Sequence, residues 1–171
     1  MKHFIKSKKG LVLLATLAVA AAAAVGAYAY FTSSGHGTGS ATVGTDSAWV
    51  VGQSSAPAGG PLYPDATIGT GNIETATYTV NNPSPGHQYL AQVDISVANA
   101  NGSAWSSGSC NASDFSVGGA PVGTTYTDTD SAGNFAPGET RTDSVTVQMI
   151  DNGSDQNDCR GLTVPLYYSA S

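Results

Sequence analysis

Beyond Ser47 four segments alternate apolar and polar residues with a period of two, the mark of strands with one buried face. In Thr75–Val80, Ala76, Tyr78 and Val80 share a side opposite three threonines. In Ala91–Val97, Ala91, Val93, Ile95 and Val97 face inward while Gln92, Asp94 and Ser96 face out. In Ser144–Met149, Val145, Val147 and Met149 alternate with Ser144, Thr146 and Gln148. In Leu162–Tyr168, Leu162, Val164, Leu166 and Tyr168 form the inner set. Pro165 has no N–H for a ladder, so this last strand is expected at a sheet edge or bulged. Shorter candidates are Ala48–Val51, Ala66–Ile68, Asp114–Val117 and Thr124–Tyr126. Turn signals separate the runs: Asn82-Pro83 to Gly86, Asn101-Gly102, Gly118-Gly119, Ala136-Pro137-Gly138 and Asp151-Asn152-Gly153.

Seven or eight short strands in residues 47–171, with no sustained helical period, predict an all-β domain. An immunoglobulin-like antiparallel β-sandwich is the expected architecture. The 21 glycines and 8 prolines suit such turns, and charged residues are only 11% of the chain. Residues 32–46, TSSGHGTGSATVGTD, read as a Gly/Ser/Thr-rich stalk ahead of the domain.

Residues 1–31 read as an export element. Lys2, Lys6, Lys8 and Lys9 precede Leu11–Phe31, an apolar run of 21 residues without a charge. Such a run suits a signal peptide with an A-x-A site at Ala27-Tyr28-Ala29, releasing a chain that begins at Tyr30. It also suits an apolar helix spanning a membrane, with Tyr28, Tyr30 and Phe31 as an interfacial anchor. Both readings leave the lysines in the cytoplasm and the rest outside, so the expected location is extracytoplasmic, secreted or membrane-anchored.

Past that run only Arg141 and Arg160 oppose twelve acidic residues, a formal charge of −10. Phosphate backbones are bound by clustered Lys and Arg, so nucleic acid is an excluded partner. The membrane is met through the N-terminal segment only, and the acidic surface suits solubility outside the cell.

Cys110 and Cys159 are the only cysteines. In an oxidising compartment two such residues pair, and a bridge over this span stabilises by about 4 kcal/mol in the chain-entropy model. Neither lies in a strongly alternating run, so the bridge is expected to tie two loops.

Catalytic groups are scarce. His36 falls in the stalk and His87 follows Pro85-Gly86 in a turn. No G-x-S-x-G elbow or H-E-x-x-H helix occurs, and Glu74 and Glu139 are the only glutamates. Two acidic clusters offer oxygen donors for calcium: Asp151, Asp155 and Asp158 in DNGSDQND, and Asp128 with Asp130 in DTDSAGN. Neither has the spacing of an EF-hand, and Asx-rich turns need no metal. Sequons at Asn101, Asn111 and Asn152 mark exposed turns.

The leader's end, Ala27-Tyr28-Ala29-Tyr30-Phe31-Thr32-Ser33, resembles the export signal of the camelysin/TasA-type surface proteins of Gram-positive bacteria. The tail from Met149-Ile150-Asp151-Asn152-Gly153 to Leu166-Tyr167-Tyr168-Ser169 resembles the end of actinobacterial secreted proteins with an immunoglobulin-like domain. The resemblance implies a cell-surface or matrix protein. Camelysin's metalloprotease activity is not carried over, because no zinc motif is present.

The expected function is therefore a non-catalytic structural or adhesive module of the cell surface or extracellular matrix. Its expected partner is a protein or a cell-wall component. The Thr163–Tyr168 edge, with Tyr167 outward, is a candidate for self-association. A carbohydrate- or calcium-binding module is the alternative, with Trp49 and Trp105 as candidate stacking groups, unless Trp49 is core and Trp105 anchors a loop. A hydrolase is the least supported class.

Overall fold

A computed structural model describes residues 40–55 and 57–171. The apolar run, with Ala27, Ala29 and Tyr30, and most of the stalk lie outside the described residues. Among those described, no helix is long and apolar enough to cross a membrane. Ser40 to Ala48 is exposed and without regular structure, and Trp49 is the first side chain to pack.

The strands are β1 (Val50–Gln53), β2 (Ile73–Asn81), β3 (Gln88–Leu90), β4 (Val93–Val97), β5 (Ser106–Ser107), β6 (Cys110–Asn111), β7 (Phe115–Val117), β8 (Tyr126–Asp128), β9 (Gly133–Phe135), β10 (Thr140–Met149) and β11 (Leu166–Ala170). Two single 3₁₀ turns, Ala112–Asp114 and Asn157–Cys159, are the helical elements among the described residues. One sheet has the order β1-β2-β10-β7 and another β11-β4-β8, with the pairs β3-β9 and β5-β6 beside them. Every paired strand is antiparallel, so the all-β expectation holds.

The alternation sets the register. Val145 stands opposite Ala76, Asp143 opposite Tyr78 and Arg141 opposite Val80 across the β2–β10 ladder. Ala76, Tyr78 and Val80 are buried completely, and they share one core with Val93, Ile95 and Val97 of β4. The Tyr78 ring lies 5.2 Å from that of Tyr168 on β11. Its hydroxyl donates to Asp128 Oδ2 on β8 at 2.8 Å, a buried link from the first sheet to the second. Burial first, then this hydrogen bond, pushes the Tyr78 phenol up. Burial alone pushes Tyr168 up to about 12.

Several sequence expectations shift. Ala91 is exposed, and its strand begins at Val93 because the N–H groups of Ala91 and Gln92 bond to the Ser171 carbonyl instead. The last strand begins at Leu166, immediately after Pro165, and it is an edge of its sheet as expected. Leu162 is exposed rather than inward-facing. Ala66–Ile68 is a turn region, held by Gln148, whose amide donates to the carbonyls of Thr67 and Thr70. The Thr124–Tyr126 strand is displaced to Tyr126–Asp128, and β3, β9, β5 and β6 are additional.

Removing the Tyr78 hydroxyl leaves a carboxylate oxygen of buried Asp128 without its donor. Tyr78→Phe is expected to cost about 1–3 kcal/mol in a denaturant melt at neutral pH. A cost near zero would show that water takes over the bond.

Candidate functional site

A groove of about 990 Å³ opens beside the first sheet. Its floor is the inward face of that sheet near the end of β10, where Phe115, Val147 and Met149 are almost fully buried. One wall is the β1–β2 connection, with Pro57, Pro61, Leu62, Tyr63 and Pro64. The other is residues 151–166, including Asp155, Arg160, Leu162, Val164 and Leu166.

Each wall is pinned by hydrogen bonds that follow from its sequence. Prolines at 57, 61 and 64 supply no backbone N–H, so the first wall is held at its ends. Ala58 bridges to Thr75. The Asp65 N–H donates to the Met149 carbonyl at 3.1 Å, and the Asp151 N–H to the Asp65 carbonyl at 2.8 Å. The Asp65 carboxylate accepts the Asn72 N–H at 2.8 Å.

Asp114, 1% exposed, organises the second wall. Its Oδ2 accepts the Asn111 N–H at 2.8 Å, closing a capping box in which Asn111 Oδ1 accepts the Ser113 N–H at 2.9 Å. Its Oδ1 accepts Asn152 Nδ2 at 2.7 Å and Gln156 Nε2 at 2.9 Å. Gln156 Nε2 also donates to the Ile150 carbonyl at 2.8 Å. The Cys110–Cys159 disulfide fastens the same wall to β6, with the two Cα atoms 5.0 Å apart. It joins a two-residue strand to a 3₁₀ turn, and Cys110 itself belongs to the core. Cys110, Asp114 and Cys159 place ligand-type atoms within 4.8 Å of one another. Both sulfurs are spent in the disulfide, so this group offers no thiolate to a metal.

The residues singled out in sequence take other positions. Asp151, Asp155 and Asp158 do not bring their carboxylates together as a ligand set among the described residues. Asp151 accepts the Gly153 N–H and Asp155 the Asn157 N–H, both as Asx turns. Asp158 accepts the N–H and hydroxyl of Ser109 at 2.8 and 3.0 Å. Its carboxylate fills the space a side chain at Gly108 would need, and Gly108 has φ +62°. Asp128 accepts the Tyr78 hydroxyl and the Asp130 N–H. Trp49 packs edge-on against Phe135 and Trp105 against Phe115, at 5.0 and 6.2 Å, each partly buried against the core. His87 is exposed in its turn. Tyr167 lies on the outer side of β11, where its ring crowds Gly102.

Away from the groove, the Ala-Pro-Gly-Glu turn leads into β10. Glu139 accepts the Ala136 N–H at 2.7 Å and Arg141 Nε at 2.8 Å. The Arg141 guanidinium stands 3.9 Å from the Phe135 ring centroid. Fully buried Asn82 donates to the Gly86 and Ala136 carbonyls at 2.9 and 3.1 Å. The Ala136 N–H, then Arg141, holds the Glu139 carboxyl below its usual range. The Ser109 N–H and hydroxyl do the same for Asp158.

Sequence reasoning missed Asp114 as an organising residue and the proline wall altogether. The one available signal was Asn111-Ala112-Ser113-Asp114, a capping box whose first three residues were read as a sequon and whose Asp114 was read as the start of a strand.

Two stability tests follow from this geometry. Depressed carboxyl pKa values stabilise the fold above the unfolded range, near pH 4, and that contribution is lost as pH falls through the folded values. The thermal midpoint should fall between pH 5 and pH 2, and Glu139→Gln with Asp158→Asn should flatten the fall. An unchanged slope would assign it to other carboxylates. Cys110→Ala with Cys159→Ala should cost about 4 kcal/mol. Limited proteolysis should then cut first within residues 151–164, and first cuts elsewhere would show that the bridge does not hold this wall.

No protein-family model, no curated protein and no solved structure matches the chain, so any functional reading rests on these residues and their geometry.

Proposed function

We propose that this chain is a non-catalytic, extracytoplasmic module of the cell surface or extracellular matrix that works by adhesion, carried outward by its N-terminal apolar segment. One observation carries the reading. Asp114, Asp151, Asp155 and Asp158 accept hydrogen bonds within turns and caps, while a wide groove stays open beside the first sheet. The likeness of the leader's end to camelysin/TasA-type surface proteins, and of the tail to actinobacterial secreted proteins, supports the location.

The domain is best read as an immunoglobulin-like sandwich. The order β1-β2-β10-β7 matches the A-B-E-D sheet of that fold, and β11 beside β4 matches F beside C. β8 takes the far edge next to β4, and no described strand corresponds to G.

The groove favours one second reading, a module binding a discrete extracellular ligand such as a carbohydrate, since its volume is in the range of ligand sites. Self-assembly through the β11 edge is a variant of the leading reading.

Beads coated with the full chain should adhere saturably to cell-wall or matrix preparations, and a broad hydrolase panel should show no turnover. Turnover, or beads that adhere no better than uncoated ones, would overturn the adhesive reading. Sedimentation of a strictly monomeric protein at millimolar concentration would remove the self-assembly variant alone.

A further inference from the structure

Glu74 occupies a position where its neighbours are core. It lies on β2 two residues before Ala76, in the register that buries Ala76, Tyr78 and Val80, and opposite Val147 of β10. A charge on that inward face is expensive unless it meets an opposite charge or hydrogen-bond donors. Among the described residues the Glu74 carboxylate has neither an ion pair nor a hydrogen bond, and it is half-buried at the groove. Asp151 and Asp155 line the same groove, against the single cation Arg160.

The rest of the lining mixes apolar side chains with the polar Gln53, Ser154, Gln156, Asn157 and Thr163, and part of its apolar surface is left in water. Tyr63 and Leu162 stand on opposite walls and are 57% and 39% exposed. The groove thus joins an acidic point to exposed apolar side chains on two pinned walls. That combination suits an extended chain bearing one cation between apolar side chains. A neutral sugar would meet Glu74 with hydroxyl hydrogen bonds alone, whereas a lysine or arginine adds an opposite charge to the hydrogen bond. The acidic point also disfavours a second copy of this domain, whose own charge past the apolar run is −10.

We propose that the groove binds an extended segment of a partner protein in which a lysine or arginine, flanked by apolar residues, pairs with Glu74. The proposal rests on the adhesive reading above and names the chemistry of its partner. Glu74 sets the preference for a cation, and Tyr63, Leu62 and Leu162 grip the flanking side chains.

The test pans a display library of random heptapeptides on the full-length, disulfide-intact protein, with Glu74→Gln as the counter-target. Enriched peptides should carry Lys or Arg between apolar residues and bind Glu74→Gln about tenfold more weakly. Glu74→Lys should turn the preference toward acidic peptides. Leu162→Ser, at an exposed rim where folding is not at risk, should weaken every enriched peptide several-fold without altering the preference for a cation. Enrichment of peptides without a cation, equal binding by Glu74→Gln, or no enrichment at all would overturn the proposal. So would protection of the groove by an oligosaccharide panel or by a second copy of the chain. Adhesion that persists in Glu74→Gln while peptides fail would sink the groove assignment and leave the adhesive reading standing. Peptide binding without adhesion would do the reverse.

Discussion

The ladder between β2 and β10 is the constraint on which the rest of the domain depends. It runs in unbroken register from Thr140 opposite Asn81 to Gln148 opposite Ile73, and each of its strands has a further partner in the same sheet. The partners are far apart in sequence, so the intervening chain must leave the sheet and return before the ladder forms. That loop-closure entropy opposes folding until long-range contacts repay it. The returning chain brings β4 and β8, which cover the face that the ladder makes apolar. A slip of one residue would turn Ala76, Tyr78 and Val80 to water together, so burial and register fix each other.

This coupling explains which parts of the fold were legible in the sequence. Period-two runs in β2, β4 and β10 were visible because each buries one full face. Strands β3 and β9 were not, because three residues cannot express a period. The run at 66–68 looked apolar enough for a strand, yet it turns where buried Gln148 donates to the Thr67 carbonyl. The displaced start of the last strand was half-visible. Pro165 was read as an edge or a bulge, and the ladder simply begins after it.

The groove was illegible for a different reason. Its walls come from residues 53–64, 74, 115 and 147–166, which no local pattern links. The acids of 151–158 drew attention as a calcium loop because the same ingredients serve two purposes. Short acidic or amide side chains next to glycine can bend a chain around a metal, or can bend it by accepting their own backbone N–H groups. Here Asp151 and Asp155 close their turns, and Asn152 and Gln156 reach back to Asp114. Carboxylates and amides of that stretch both serve the wall, with Asp158 also tied to Ser109.

Glu74 gives the site its meaning because it breaks the pattern that the rest of β2 obeys. An inward carboxylate beside Val147 and Met149 adds nothing to the core, whereas an apolar residue there would extend it. Local choices that disagree with the fold collect at functional sites, and their cost must be met by nearby interactions. Cys159 of the disulfide and Gln156, which donates to Asp114, line the same groove. The pinned wall and the half-buried acid are the two features on which the proposed binding of a cationic segment rests.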